Sequence, residues 1–123
     1  MSDQMPAQSF RDLTMWKLAH QFVLDIYTIS KDFPHHEMYG VTSQIRRAAI
    51  SIPANIAEGF KKKGSRDKIR YYNIAQGSLE ECRYYLLLIN DLHYAETTEI
   101  SDRIDVISKM IDSYIKRIIK SEK

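Results

Sequence analysis

Apolar residues recur at alternating spacings of three and four in four separate stretches of this chain, and this pattern is the strongest constraint on its fold. Side chains at those spacings lie on one face of an α-helix, so each stretch predicts an amphipathic helix. A tight link at Ala95 and Glu96 makes the last two helices antiparallel neighbours. The sequence therefore predicts an all-α fold, an antiparallel four-helix bundle.

The first two helices have recognisable boundaries. Helix one starts near Asp12, a residue type that caps helix N-termini, and Pro34 stops it after Phe33. A turn segment follows and ends at Gly40. Helix two then covers about residues 42–61.

Helix three is predicted to begin at Ser65, and helix four near Thr97 or Thr98. Residues 1–9 have no apolar period and are predicted to be a disordered tail, which leaves residues 10–123 as one bundle domain. The apolar seams of the last two helices are Tyr72, Ala75, Leu79, Cys82, Leu86 and Ile89, followed by Ile100, Ile104, Ile107, Ile111, Tyr114 and Ile118.

Small residues on helix three predict a close contact between helices. Gly77 lies in mid-helix, where glycine costs about 1 kcal/mol relative to alanine. Together with Ala75 and Ser78, it is expected to give room for another helix, at Ala48 and Ala49.

Helix two carries a polar stripe beside its apolar face, formed by Arg47, Ser51, Asn55 and Glu58. One hypothesis makes the stripe a recognition site for an anion or a partner. The favoured hypothesis makes it a structural polar network that sets the register between helices or subunits. Pro53 lies inside the same helix and predicts a bend, because its ring displaces the hydrogen bond to the Ala49 carbonyl.

Two sequence motifs resemble a known family. They are IRRAAISIPANIAEG at residues 45–59 and YYNIAQGSLEE at residues 71–81, separated by a basic segment. They closely resemble the family named for open reading frames in intervening sequences of bacterial 23S rRNA genes, which includes the accessory variability determinant of diversity-generating retroelements. The resemblance extends from about Phe10 to Ile119. It implies an up-and-down bundle, often a homopentameric ring, and no settled biochemical activity.

Composition and charge limit the classes of function. The chain has a hydrophobic fraction of 44%, one cysteine and no long apolar stretch, and the start MSDQMPAQSF lacks the features of a signal peptide. We therefore expect a cytoplasmic protein with no membrane contact. The net charge is +2, yet residues 43–70 contain eight basic and two acidic side chains.

The basic segment at residues 61–70 is the candidate nucleic-acid contact, with Tyr71 and Tyr72 behind it as possible stacking platforms. The alternative is a solvated turn whose charges keep the protein soluble. The family resemblance favours nucleic acid, since the retroelement accessory members look like basic pentamers that engage RNA and a reverse transcriptase. The candidate residues are Lys61, Lys62, Lys63, Arg66, Lys68 and Arg70.

No catalytic or metal-binding motif is recognisable. Gly59 and Gly64 have the spacing of a phosphate-binding loop, but Ser65 stands where that motif needs lysine. None of the glutamates has a histidine three residues later, as di-iron bundles require. Cys82 lies on the apolar seam of helix three, where a thiol is typically a small apolar filler. We therefore expect no enzymatic activity, no cofactor and no metal.

The sequence thus favours a non-enzymatic oligomeric binding module that contacts nucleic acid, or a nucleic-acid enzyme such as a reverse transcriptase, through a repeated basic loop. The wide apolar arc on helices three and four also favours self-association. The alternative is a structural homo-oligomeric assembly protein that binds another protein through its helix faces.

Overall fold

The computed structural model describes residues 6–122, which form four α-helices and two short 3-10 helices. The α-helices are α1 (Thr14–Ser30), α2 (Val41–Lys61), α3 (Ser65–Asp91) and α4 (Thr98–Ser121). The 3-10 helices are Phe10–Asp12 and His35–Glu37. No strand occurs within residues 6–122, so the all-α prediction is confirmed.

The four helices pack as an antiparallel square. Among residues 6–122, the backbone of α1 runs beside those of α2 and α4, and the backbone of α3 also runs beside those of α2 and α4, whereas no Cα atoms of the diagonal pairs come within 8 Å. The edge formed by α1 and α2 therefore lies opposite the edge formed by α3 and α4. One end of the square holds the α2–α3 turn, and the other end holds the α1–α2 and α3–α4 connections.

The core consists of the apolar faces predicted from the spacing. Every predicted seam residue of α3 is fully buried. On α4, the predicted seam is buried from Ile100 to Ile111, and Tyr114 and Ile118 are half-buried at the open end of the helix. One continuous cluster links all four helices, so the described chain has a single core.

Both ends of α1 differ from the prediction. The Asp12 carboxylate accepts hydrogen bonds from the Gln8 and Ser9 amides, so it caps the 3-10 helix that precedes α1. At the other end, α1 stops at Ser30 because the chain tightens into a turn, with Phe33 N donating to Ser30 O at 3.2 Å. That turn buries Phe33 against Tyr94, with the ring centroids 5.9 Å apart.

The N-terminal tail prediction is only partly covered by the structure. Residues 1–5 lie outside the described residues. Ser9 belongs to the folded part, because its hydroxyl accepts a hydrogen bond from Arg11 N and caps the first 3-10 helix.

A different glycine makes the close contact between α2 and α3. A Cβ at Gly59 would lie 2.7 Å from Cε1 of Tyr72 and 3.2 Å from Cβ of Tyr71. Gly77 is exposed, with open space where its Cβ would be, so the predicted contact at Gly77 is wrong. The angular position of Gly77 on α3 explains the difference, since Ala75 and Ser78 are buried while Gly77 points away from α2.

No helix within residues 6–122 is long and apolar enough to cross a membrane.

Candidate nucleic-acid interface

The predicted basic residues surround the turn between α2 and α3. Lys61, Lys63, Arg66 and Arg70 are exposed, so their charges are available to a ligand. Lys62 and Lys68 are half-buried and make contacts within the protein. The structure thus divides the predicted group into four exposed cations and two half-buried ones.

Lys68 holds the turn together. Its ammonium donates to Phe60 O at 2.7 Å and to Gly59 O at 3.3 Å, and it lies 5.4 Å from the centre of the Phe60 ring. The last carbonyls of a helix have no partners within the helix; Lys68 binds two of them at the end of α2, and Gly59 O also accepts from Lys62 N at 3.2 Å. Burial lowers the pKa of Lys68 below its ordinary value. Lys68 therefore has a structural contact of its own, and the phosphate contact that the sequence predicted for it stays a prediction.

A half-buried tyrosine anchors two further cations. Nζ of Lys62 lies 5.2 Å from the centre of the Tyr71 ring, and Cζ of Arg70 lies 5.7 Å from it. Lys62 also pairs with Glu58, with 3.6 Å between the ammonium and the carboxylate oxygen. Such cation–π contacts restrict the side chains that a ligand would meet.

Tyr72 does not share this surface. It is fully buried and packs edge-on against Tyr114, with the ring centroids 5.5 Å apart. Burial raises the pKa of its hydroxyl, which has no hydrogen-bond partner among residues 6–122. Stacking of a base on Tyr72, which the sequence suggested, is therefore excluded by its position in the core.

The end of α4 contributes basic side chains that the sequence did not predict at this turn. The Ser65 hydroxyl donates to Oε2 of Glu122 at 2.6 Å, which places the last turn of α4 beside the first turn of α3. Lys116, Arg117 and Lys120 therefore lie near the α2–α3 turn and are exposed. The antiparallel order of the helices could have predicted this position, because it brings the end of helix four beside the start of helix three.

The charges divide sharply along the bundle axis. The midplane passes near the contact of Ser51 with Ser78 and the contact of Gln76 with Ser108. The half that holds the α2–α3 turn, here called the basic end, comprises residues 6–18, 56–76 and 108–122. It carries 12 Lys and Arg against 5 Asp and Glu, and the rest of residues 6–122 carries 5 against 10. The net charges are thus +7 at the basic end and −5 at the other, the acidic end.

The predicted polar stripe on α2 separates into two parts. The Asn55 amide donates to the Ser51 carbonyl at 2.8 Å and to the Ser51 hydroxyl at 2.9 Å, and Ser78 donates to that hydroxyl at 2.7 Å. Ser51 and Asn55 therefore form a polar link between α2 and α3. Arg47 and Glu58 are exposed and lie outside this link.

Groups with catalytic or metal-binding potential are scattered. Within residues 6–122, no three His, Cys, Asp or Glu side chains are arranged to hold a metal ion. Glu37, which follows the two adjacent histidines, binds Tyr94 and the Val41 amide instead. Burial raises the pKa of the Cys82 thiol to about 12, so it is protonated at neutral pH.

The fold and its charged end define a class of protein: a small all-α bundle of four antiparallel helices with one strongly basic end. The chain belongs to the family of 23S rRNA-intervening sequence proteins, which it matches over residues 11–113. The family resemblance of the two sequence motifs is therefore confirmed.

One solved structure gives an independent comparison of the fold. It is a protein with unknown function from the S23 ribosomal protein family, from Bacteroides thetaiotaomicron VPI-5482. It is 26% identical to this chain, with a TM-score of 0.75, and the match covers 83% of this chain and 95% of that chain. A comparison with curated proteins gives no match.

Proposed function

We propose that this protein is a non-enzymatic binding module, assembled from several copies in the cytoplasm, that contacts nucleic acid or an enzyme acting on nucleic acid through its basic end. The charge division carries the proposal: the basic end has a net charge of +7 although the whole chain has only +2. A polyanion is attracted to such an end and repelled by the other.

The chemistry of the exposed side chains indicates the mode of binding. Lys61 ends α2, Lys63 lies in the turn and Arg66 lies in the first turn of α3, where they can reach phosphates without reading base edges. We therefore expect affinity for the phosphate backbone with little dependence on sequence. An assembly repeats the basic end in each copy, and the family resemblance suggests a ring of five copies, so weak contacts would add up.

The second candidate is a structural assembly protein that binds another protein through its helix faces. Its support is the exposed apolar surface away from the basic end, where Tyr39 is 94% exposed and Leu87 is 58% exposed. Residues of that kind are enriched in protein interfaces.

Salt dependence separates the two candidates. Binding of a fluorescent single-stranded RNA, and of a duplex, should weaken steeply between about 50 and 200 mM salt, because each neutralised phosphate releases condensed counterions. The Lys61→Gln/Lys63→Gln variant should reduce the slope of log affinity against log salt by about two for each copy that contacts the ligand, and it should weaken all sequences alike. Fluorescence anisotropy measures both quantities.

The matched control is Lys31→Gln/Arg103→Gln, which removes the same charge from two exposed positions at the acidic end. It should keep the wild-type slope. If the control and the basic-end variant bind equally well with the same slope, the proposed interface is wrong. If the wild type shows no saturable binding at low salt, the assembly protein becomes the better interpretation.

A further inference from the structure

A rigid turn at the acidic end presents a tyrosine to solvent. Oε1 of Glu37 accepts a hydrogen bond from Val41 N at 3.2 Å, and Oε2 accepts one from the Tyr94 hydroxyl at 2.8 Å. A Cβ at Gly40 would lie 2.5 Å from Oε1 of Glu37, so a larger residue there would displace that carboxylate. Between these fixed residues, Tyr39 is 94% exposed. A large aromatic side chain is thus exposed to solvent on a turn that Glu37 links to α2 and to Tyr94.

Two arginines lie next to Tyr39. Arg46 is held in place, because its Nε donates to the Ser30 hydroxyl at 2.8 Å and its guanidinium lies 4.6 Å from the centre of the Tyr27 ring. Arg47 is exposed and makes no hydrogen bond or ion pair with residues 6–122.

These side chains line a shallow depression of about 480 Å³ whose lining contains no acidic residue. We call it the α1–α2 patch, formed by Tyr27, Met38, Tyr39, Arg46, Arg47 and Ile50. Aromatic residues, methionine and arginine are the side chains that protein interfaces favour.

The opposite edge of the bundle carries a groove of about 590 Å³ at the same end. Its exposed apolar residues are Tyr84, which is 57% exposed, and Leu87, which is 58% exposed. Arg83 lines the groove but is already bound to Glu80 and Asp105. We call it the α3–α4 groove, formed mainly by Glu80, Tyr84, Leu87, Asn90, Thr98 and Asp102.

The two surfaces are complementary in charge. Asp102 is exposed and forms no ion pair with residues 6–122, whereas Arg47 on the opposite edge is a cation without a counterion there. The groove falls within the range of about 300–1,000 Å³ that is typical of binding pockets, so it can receive a protruding aromatic side chain. Tyr39 is the most exposed of the large hydrophobic side chains in residues 6–122.

The positions of the surfaces determine the kind of contact. They lie at the same height on opposite edges of the square, and they differ in composition. When one surface binds a different surface on the next copy, the contact is heterologous, and repetition closes a ring if the rotation between copies allows it.

We propose that the α1–α2 patch of one copy binds the α3–α4 groove of a second copy, with Arg47 pairing with Asp102 and Tyr39 packing against Leu87. This inference rests on the self-association in the proposed function and specifies its surfaces. Because both surfaces lie at the acidic end, the contact keeps neighbouring copies parallel. All basic ends then face the same side of the assembly, where one nucleic acid can reach several of them.

The test uses two variants that each damage one surface. Tyr39→Ser/Arg47→Glu damages the patch, and Leu87→Ser/Asp102→Asn damages the groove. All four positions are exposed, so both variants should keep the helical circular dichroism and thermal midpoint of the wild type. Loss of central interface residues should raise the dissociation constant for assembly by about thirtyfold or more. Sedimentation velocity at micromolar concentration should therefore show each variant as a monomer.

Mixing gives the decisive result. The groove of the patch variant and the patch of the groove variant are both intact, so an equimolar mixture should form a heterodimer that does not grow further. The control Leu24→Ser/Lys17→Glu changes similar exposed residues outside both surfaces and should keep the wild-type mass.

Several results would overturn the proposal: a monomeric wild type, a damaged variant that keeps the wild-type mass, a control that dissociates as well, or a mixture that stays monomeric. The last result would mean that the surfaces contact like surfaces or another molecule. Failure of the nucleic-acid proposal is read separately, from whether the Lys61→Gln/Lys63→Gln variant lowers the salt slope relative to the wild type, a comparison that can be made for a monomer and for an assembly alike.

Discussion

The Tyr94 hydroxyl donates a 2.8 Å hydrogen bond to Oε2 of Glu37, which lies 57 residues earlier in the chain. This bond joins the α3–α4 connection to the α1–α2 connection at the acidic end. It also lowers the pKa of Glu37 below the ordinary value of 4.5, with a second contribution from the Val41 amide. The ionised carboxylate is therefore the form that the folded protein prefers.

This preference predicts a pH dependence. A carboxyl whose pKa is lower in the folded state stabilises the fold above its unfolded pKa, and that stabilisation is lost as pH falls through the folded pKa. Glu37→Gln should therefore flatten the fall in thermal midpoint below about pH 4.5. Tyr94→Phe should raise the pKa of Glu37 part of the way back, as measured by carbon NMR of its carboxyl group. Tyr84→Phe, at an exposed tyrosine, is the control and should leave that titration unchanged.

A pair of glycine substitutions should have opposite effects on stability. Gly59→Ala places a methyl group 2.7 Å from the buried Tyr72 ring, so the core must shift, at a cost of about 1–3 kcal/mol. Gly77→Ala adds a methyl group in open space and should stabilise the protein by about 0.5–1 kcal/mol, because alanine favours the helix. Urea unfolding measures both values. Equal effects at the two positions would show that the α2–α3 contact is looser than 2.7 Å implies.

The polar link between α2 and α3 should behave as a unit. Ser51→Ala removes the acceptor of both Asn55 and Ser78, so it should destabilise the protein by about 1–2 kcal/mol. Ser78→Ala should cost less, because Asn55 keeps its bonds. The double variant should be less destabilised than the sum of the single ones, by at least about 0.5 kcal/mol. Strict additivity in a double-mutant cycle would argue against the link.

Lys68 should affect stability more than nucleic-acid binding. Lys68→Met keeps the apolar part of the side chain but loses the bonds to the Phe60 and Gly59 carbonyls, so a loss of about 1 kcal/mol is expected. The salt slope of nucleic-acid binding should stay close to that of the wild type. Lys61→Met is the matched control, with the reverse pattern: unchanged stability and a slope smaller by about one for each copy that contacts the ligand.

The helices and their buried faces could be predicted because the apolar spacing contains that information directly. Each predicted seam residue of α3 is buried, and the predicted span of α2 differs from the observed one by a single residue at its start. The end of α1 could not be predicted in the same way. Phe33 continues the apolar pattern in sequence, yet the chain leaves the helix so that its ring can pack on Tyr94.

The roles of single residues within a helix or turn could not be predicted from the sequence either. Lys63 and Lys68 belong to the same basic segment of the sequence. Of the two, only Lys68 is close enough to the α2 carbonyls to bind them. Gly59 and Gly77 both lie within a helical apolar pattern. The position of the neighbouring helix decides which of the two positions requires glycine. Such roles depend on which side chains the packing of neighbouring helices brings into contact. The spacing of residues along the sequence does not contain those distances.

The separation of +7 and −5 along the bundle axis also makes the molecule a strong electric dipole. In the field of a polyanion, a dipole experiences a torque as well as a pull, so the protein turns its basic end forward before any side chain touches a phosphate. A larger share of random encounters then becomes productive. Association should therefore be faster at low salt than at high salt. The orienting effect should disappear once the Debye length, about 10 Å at 0.1 M salt, becomes short compared with the length of the bundle.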